Sequence, residues 1–472
     1  LPRCSSRIDF NRYLEKWYNR YEDANGDIQT AEPVKLVSYS FYKLDIPRVF
    51  EPKKKKKTSE ETISETIRLA IEAEIRNILQ NPSVTISPEM HLAMDLGMDS
   101  LNIAELIAYL TKHYDIDELH AEDVDTVQSV FEMAQGSFIL QTRDAHPIGT
   151  NHWPKEPHRL APHLPEGATM PEAFLRICDH MKGFSACADD LVGVLSYRKL
   201  RRAVLALSQY FRTIPDTTVA VLLPASVAAY LVVLALQFAH KVPVMLNWTL
   251  GPAYLEEMLK LSGAKKVISS WRFLDRLSHV EFGNMIDTIE FLEEIKESLS
   301  KKMKVKALWF SCIPTWLCFR QLHLAKIRAE DPCVILFTSG TESTPKGVPL
   351  SHQNILSNQR SAMQCISLRT EDIVYGVLPP FHSFGFSVAG LFAIFSGLRI
   401  AFYPDPTDAF ALAEGIERWQ VTLFCSPPSF LKGLLAVAKP DQLKTIRLFI
   451  TGAEKTPQEL YDRIQSHLQA QI

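Results

Sequence analysis

A chain of 472 residues is too long for one compact core, so two or more domains are expected. With 46% hydrophobic and 22% charged residues and a net charge of −3, it reads as an ordinary soluble protein, and no nucleic-acid partner is expected. Eight cysteines without a CxxC pair or regular spacing exclude a disulfide framework and favour a reducing compartment such as the cytosol.

The first residues, LPRCSSRIDF, are no signal peptide, and a chain opening on Leu1 rather than Met is expected to lack an upstream segment. Phe10, Tyr13, Leu14, Trp17, Tyr18 and Tyr21 follow the spacing of one helical face, with Asp9 as N-cap. A strand-like KLVSYSFYKL (35–44) follows, so residues 1–52 read as a short α/β tail of a preceding domain. KKKKK (53–57) reads as a solvated linker, with contact to anionic lipid as the lesser option.

Residues 58–136 predict a small helical bundle, expected to have four helices. Ile63, Ile67, Ala70, Ile71, Ile75 and Ile78 define its first helix. The loop NPSVTISPEM ends that helix, and SLNIAELIAYLTKHY and TVQSVFEMA predict two more. This unit carries sixteen acidic residues against Arg68, Arg76 and Lys112, a balance of −13 that leaves +10 for the rest of the chain. Such opposite charges on tethered units favour their encounter, subject to screening. Residues 137–169 contain the Pro- and His-rich DAHPIGTNHWPKEPHRLAPHLPEG and read as a linker. Its histidines are scattered by prolines, and no metal site is assigned.

From 170 to 472 apolar runs alternate with helical patterns: LVGVL, VAVLL, VPVML, KKVISS, CVILFT, DIVYGVL, LRIAFY, VTLFCS and IRLFIT. That rhythm predicts α/β layering around largely parallel sheets. The most apolar window, 219–238, is about long enough to span a bilayer, but Pro224 and Ser226 interrupt it. It reads as a buried strand, a turn and a buried helix.

Two stretches carry chemistry. In DLGMDSL (95–101), Ser100 stands at the start of a helix, where backbone N–H groups and the helix dipole favour an attached anion. On its own Asp-Ser is a good cap. Within an acidic helical bundle it resembles an acyl carrier protein domain, and the resemblance implies 4′-phosphopantetheine on Ser100, placed there by a phosphopantetheinyl transferase. In TSGTESTPKG, an apolar strand runs into a loop rich in glycine and hydroxyls beside one cation, a way of aiming donors at phosphate oxygens. It is not the GxxxxGK[ST] pattern, since Pro345 stands in place of the second glycine.

This loop resembles the phosphate-binding signature of the adenylate-forming (ANL) superfamily, with likeness across about 185–472. The resemblance implies that Thr338, Ser339, Gly340, Thr341, Glu342, Ser343, Thr344, Lys346 and Gly347 hold the phosphates of ATP, delivered with Mg2+. Lys346 and Thr341 are the catalytic candidates there, and the expected effect is electrostatic preorganisation. YGVLPPFHSFGF (375–386) resembles the border of the acyl pocket, with His382 as the third catalytic candidate. An imidazole beside Phe381, Phe384 and Phe386 suits an apolar acid better than an amino acid. A structural histidine is the equal alternative. LFITGAEKTP (448–457) resembles the strand and loop against adenine, with Gly452, Ala453 and Glu454 as contacts. The family's later acid for Mg2+, its ribose-binding aspartate and the lysine of its mobile C-terminal domain are not reached, so the adenylating part is expected to be truncated.

Together these imply ATP-dependent activation of a fatty acid and transfer to a thiol on an acyl carrier protein (its own or a free one) or on CoA. NWTLGPAYLEEML (247–259) resembles bifunctional 2-acylglycerophosphoethanolamine acyltransferase/acyl-carrier-protein synthetases, which implies a lysophospholipid acceptor at a membrane surface. A cytoplasmic protein, with peripheral contact at the inner membrane surface as an option, is the matching expectation. HLAMD (91–95) is one residue short of the HxxxxD motif of such acyltransferases and lies in the carrier-like unit. The rival readings are a peptide-synthetase-like module for an amino or aryl acid, and a carrier fused to a non-catalytic adenylation fold.

Overall fold

The computed structural model describes residues 20–22, 28–30, 64–136 apart from short gaps (80, 93–94, 99, 115, 117–123 and 125), 151–338 apart from 251, 278–284 and 286–287, and 345–470 apart from 469. Strands β1 (Arg20–Glu22) and β2 (Ile28–Thr30) pair antiparallel, Tyr21 opposite Gln29. This corrects the end of the expected aromatic helix, since Tyr21 lies in a strand. Asn25-Gly26, a strong hairpin signal, stands between the two strands in sequence and outweighs the helical spacing. The rest of that helix, KLVSYSFYKL and the lysine run lie outside the described residues.

In the acidic unit three helices are described, Glu65–Ile78, Ser100–Tyr114 and Val127–Ala134; a fourth is not among the described residues. Ile71, Ile75 and Ile78 are buried with Leu106, Leu110, Val127, Val130 and Phe131, as the helical spacing of the isoleucines requires. Gly97 takes φ +68° just ahead of the second helix, a conformation that favours glycine. Thr126 and Ser129 form a reciprocal cap on the third helix.

The large α/β part is built on two six-stranded sheets. Its strands in chain order are β3 (Ser185–Asp189), β4 (Gly193–Ser196), β5 (Thr218–Val221), β6 (Val242–Met245), β7 (Val267–Ser269), β8 (Ile289–Phe291), β9 (Pro332–Thr338), β10 (Lys346–Ser351), β11 (Ile373–Gly376), β12 (Arg399–Phe402), β13 (Leu423–Ser426) and β14 (Leu448–Thr451). One sheet runs β10-β9-β6-β5-β7-β8, the other β14-β13-β11-β12-β3-β4. Pairing is parallel except at the edges, where β10 runs against β9 and β4 against β3.

The 219–238 window resolves into β5 and the Val227–Phe238 helix, whose Ser226 cap accepts from the Ala229 N–H at 3.2 Å. That helix is apolar on nearly every side and almost wholly buried, each large side chain contributing about 1.5–3 kcal/mol. No helix among the described residues is long and apolar enough to cross a membrane.

The Pro- and His-rich stretch 151–169 runs without regular structure along the α/β part, bonded to it at intervals. The Trp153 indole donates to Trp419 O at 3.0 Å. Glu156 accepts from the Ser185 N–H, and the buried Arg159 bridges Glu156 and Gly397 O, each at 2.6 Å. His163 N donates to Ser396 O. In the second sheet, fully buried Asp372 pairs with Arg447 and accepts from Thr422, tying β14 to the start of β11.

Candidate active site and carrier

Parallel strands end together, and the connections at their C-terminal ends form the usual ligand crevice of α/β sheets. Every expected segment of the α/β part lies at such an end. β9 leads to Thr338, and Lys346 opens β10 directly opposite it in register, so the expected phosphate loop closes an antiparallel pair. Both residues are exposed. Ser339, Gly340, Thr341, Glu342, Ser343 and Thr344 lie outside the described residues. Gly347 sits against Phe337, 3.2 Å from where a Cβ would stand.

β6, parallel to β9, delivers Trp248 to the same end. Its ring meets Phe381 at 4.6 Å and Phe273 at 4.7 Å, both edge to face, a favoured aromatic geometry. Phe381 packs in turn at 4.6 Å from the half-buried His382 ring. The His382 backbone is fixed on both sides, its N–H donating to Pro379 O and its carbonyl accepting from Phe386 N. Both sequence readings of His382, pocket wall and structural residue, fit this placement.

The chain then enters a π-helix, Phe384–Leu391. Such wide turns are uncommon and often lie at functional sites. The buried Tyr230 hydroxyl donates to Gly385 O at 2.8 Å, and a Cβ on Gly385 would stand 2.2 Å from Pro379 O. Tyr230 and Trp248 gave no sequence signal as single residues; the glycines of FGFSVAG were the legible trace of a close approach.

β14 continues into Gly452, Ala453 and Glu454. A Cβ on Gly452 would lie 3.4 Å from the Phe384 ring, which brings the expected adenine loop against the expected acyl segment. Ala453 takes φ +69°, a strained region for a residue with a Cβ. The hydroxyls of Thr451 and Thr456, 2.8 Å apart, close the loop around it. Glu454 accepts from the Ser429 hydroxyl at 2.7 Å and the Ser429 N–H at 3.2 Å. Its carboxylate therefore fixes this loop to the first turn of the Pro428–Val437 helix. Among the described residues no three His, Cys, Asp or Glu side chains gather as a metal site.

Ser100 is the first residue of its helix, at the end where an anion is favoured. That helix packs against Pro428–Val437, the helix that Glu454 anchors. Burial raises the pKa of the Glu105 carboxyl, and the Glu454 charge adds to the shift while Lys432 opposes it. The carrier-like bundle thus touches the element next to the expected adenine loop.

Residues 178–472 match the family model for the AMP-binding enzyme, well over half of the chain. The chain belongs to the AMP-binding enzyme family. The chain also matches the phosphopantetheine attachment site, over residues 70–135. It is 26% identical over 248 residues to 4-coumarate–CoA ligase 2 of Oryza sativa subsp. japonica, covering 50% of this chain and 43% of that one. Acyl-CoA ligase sidI of Aspergillus fumigatus is 27% identical over 146 residues, 30% of this chain and 25% of that one. The chain therefore spans less than half the length of these relatives. In fold it is similar to VinN in complex with L-aspartate (TM-score 0.54, 20% identity, 65% and 75% coverage). The N-terminal subdomain of Klebsiella oxytoca NpsA aligns as well (TM-score 0.51, 21% identity, 64% and 73%).

Proposed function

We propose that this protein belongs to an acid–thiol ligase that carries its own carrier unit and activates a fatty acid with ATP. A carboxylate oxygen attacks the α-phosphorus, pyrophosphate leaves, and the acyl group becomes an adenylate open to attack by a thiol, with AMP departing. On this reading Lys346 and the hydroxyl-rich turn offset charge on the departing phosphates, and any Mg2+ arrives with the triphosphate. Gly452 and Ala453 border the adenine, while Glu454 positions their loop. Ser100, at its helix start, suits a phosphate-linked group; attached there, phosphopantetheine would supply the acceptor thiol. A carrier in trans or CoA would serve the same chemistry, and a lysophospholipid would be a later acceptor.

The observation that carries the acid class is the aromatic wall of Trp248, Phe273 and Phe381 beside His382. Half-buried Trp248, backed by buried Phe273 and Phe381, offers an apolar chain a surface to pack on, and among the described residues of this wall there is no carboxylate for a substrate ammonium. ATP–pyrophosphate exchange by the full-length protein is expected with fatty acids and not with amino acids. Exchange with an aryl acid alone, the class in the rice relative's name, would replace the fatty acid by that rival. No exchange with any carboxylate would leave a carrier on a non-catalytic fold. Ser100→Ala should abolish phosphopantetheine attachment by intact mass without unfolding the bundle.

A further inference from the structure

The Lys301–Cys312 helix, KKMKVKALWFSC, has two apolar faces rather than one. Ala307 and Phe310 are buried against the core, and the Arg201 guanidinium reaches Phe310 O and Ile313 O from beneath. On the opposite side Val305, Leu308 and Trp309 form one stripe at i, i+3 and i+4 spacing and face solvent, with Val305 66% and Trp309 47% exposed. The next helix, Thr315–Gln321, adds Trp316, 66% exposed. Of the twelve large apolar side chains exposed among the described residues, four therefore fall within twelve positions. Scattered singles are ordinary; an exposed apolar stripe along one helix face, with a further exposed indole four residues past its end, marks an interaction surface.

Charge names the partner. Lys301 and Lys302 stand a turn before this stripe, and Lys304 and Lys306 flank it on either side, all in exposed positions. From Leu299 to Ala329 the sequence has seven Lys or Arg residues and no Asp or Glu. An apolar stripe carrying tryptophan, edged on both sides by lysine, is the pattern of a helix lying in a bilayer interface. Its indoles sit at headgroup depth and its lysine stems run along the apolar surface towards anionic headgroups. The acidic bundle of this same chain is the other complementary partner, but it packs on the Pro428–Val437 helix instead.

We propose that the outward face of Lys301–Cys312, with Trp316, seats this protein on an anionic membrane surface. The inference does not depend on the reading of the active site, because it rests on a different face and on no substrate. If an acid ligase acts there, its site would be held at a surface where apolar acids dissolve.

Co-sedimentation of the full-length protein with vesicles tests the surface, without ATP or acid. Phosphatidylcholine vesicles are compared with vesicles containing phosphatidylglycerol, in a background where residues 53–57 are replaced by Ser so that the lysine run cannot carry binding. Binding is expected to the anionic vesicles and to fall as salt is raised. Replacing Lys301, Lys302, Lys304 and Lys306 by Gln should lower partitioning by about tenfold or more. The pair Trp309→Ser and Trp316→Ser should lower it comparably, and both variants should keep the parent's unfolding midpoint. Pyrophosphate release in solution, measured in parallel, should be unchanged, which separates this surface from the ligase reading. Equal binding to neutral and anionic vesicles, no binding to either, or binding that survives both sets of substitutions would overturn the proposal.

Discussion

At His352 a single ring joins two parts of the chain, because its Nδ1 accepts the Met170 N–H at 3.2 Å where the bonded 151–169 stretch enters its first helix. That bond requires a neutral ring. Burial lowers the imidazole pKa to about 4 against an ordinary 6.5, with the Asp331 charge opposing the shift. The unfolded chain therefore takes up a proton between these two values while the folded chain does not. Stability from this group is complete above pH 6.5 and drains away as pH falls towards 4. The full shift corresponds to at most about 3 kcal/mol, and about 2 kcal/mol of it should be lost between pH 7 and pH 5. Denaturant unfolding across that range should show the slope in the parent protein and lose most of it in His352→Gln, whose amide oxygen can accept the same N–H without titrating. Parallel slopes in the two proteins would mean that other groups carry the acid sensitivity.

The Phe384–Leu391 π-helix binds the expected acyl-side segment to the core through contacts that leave no room for change. A Cβ on Gly385 would strike the Pro379 carbonyl, and one on Gly390 would stand 2.0 Å from the Tyr230 hydroxyl. The first obstacle is backbone and cannot rotate away. Gly385→Ala should accordingly cost about 1–3 kcal/mol, read as a lowered unfolding midpoint. Gly433→Ala is the control, since nothing lies within 4 Å of that Cβ and alanine favours a helix; it should be neutral or slightly stabilising. Equal effects at the two sites would remove the steric account. Legibility in the sequence followed the same physics of burial. All nine apolar runs overlap strands, most of them inner parallel strands that must be apolar on both faces; LVGVL instead leads into the half-buried antiparallel edge β4, with Leu191 and Val192 exposed. The three strands without such a run each have a reason. β3 (SACAD) is buried through small side chains, β8 spans three residues, and β10 is an exposed edge rich in polar residues and proline. The partition of strands between two sheets was not readable, since periodicity carries no information about which strands pair. Phe384, Gly452 and Lys346 were legible as segments, whereas Trp248, Tyr230 and Ser429 owe their roles to contacts made across long sequence separations.

Across the whole molecule, sequence order and spatial order disagree in a useful way. The carrier-like bundle precedes the AMP-binding part, yet its Ser100–Tyr114 helix lies on Pro428–Val437, close to the end of the described chain. The Glu454 carboxylate joins that helix to the loop expected to border adenine, so the bundle rests one element away from the proposed chemistry. Lys432 is the cation whose field Glu105 feels there, in a chain whose bundle is strongly acidic and whose remainder is basic. If this contact delivers the acceptor thiol, reversing Lys432 should disturb delivery and leave acid activation alone. With the full-length protein carrying its prosthetic group, Lys432→Glu should slow acyl loading on Ser100 by up to about fivefold, the scale of an exposed charge pair, with pyrophosphate exchange unchanged. Adding Glu105→Lys should recover most of the loss, since the pair is restored with its signs exchanged. Salt supplies an independent check: raising ionic strength from 0.01 to 0.15 M shortens the screening length from about 30 Å to about 8 Å. Loading in the parent should slow over that range while Lys432→Glu responds less. Identical loading and identical salt response in parent and variant would show that the bundle reaches the site by another face, and the packing of these two helices would then be a resting position.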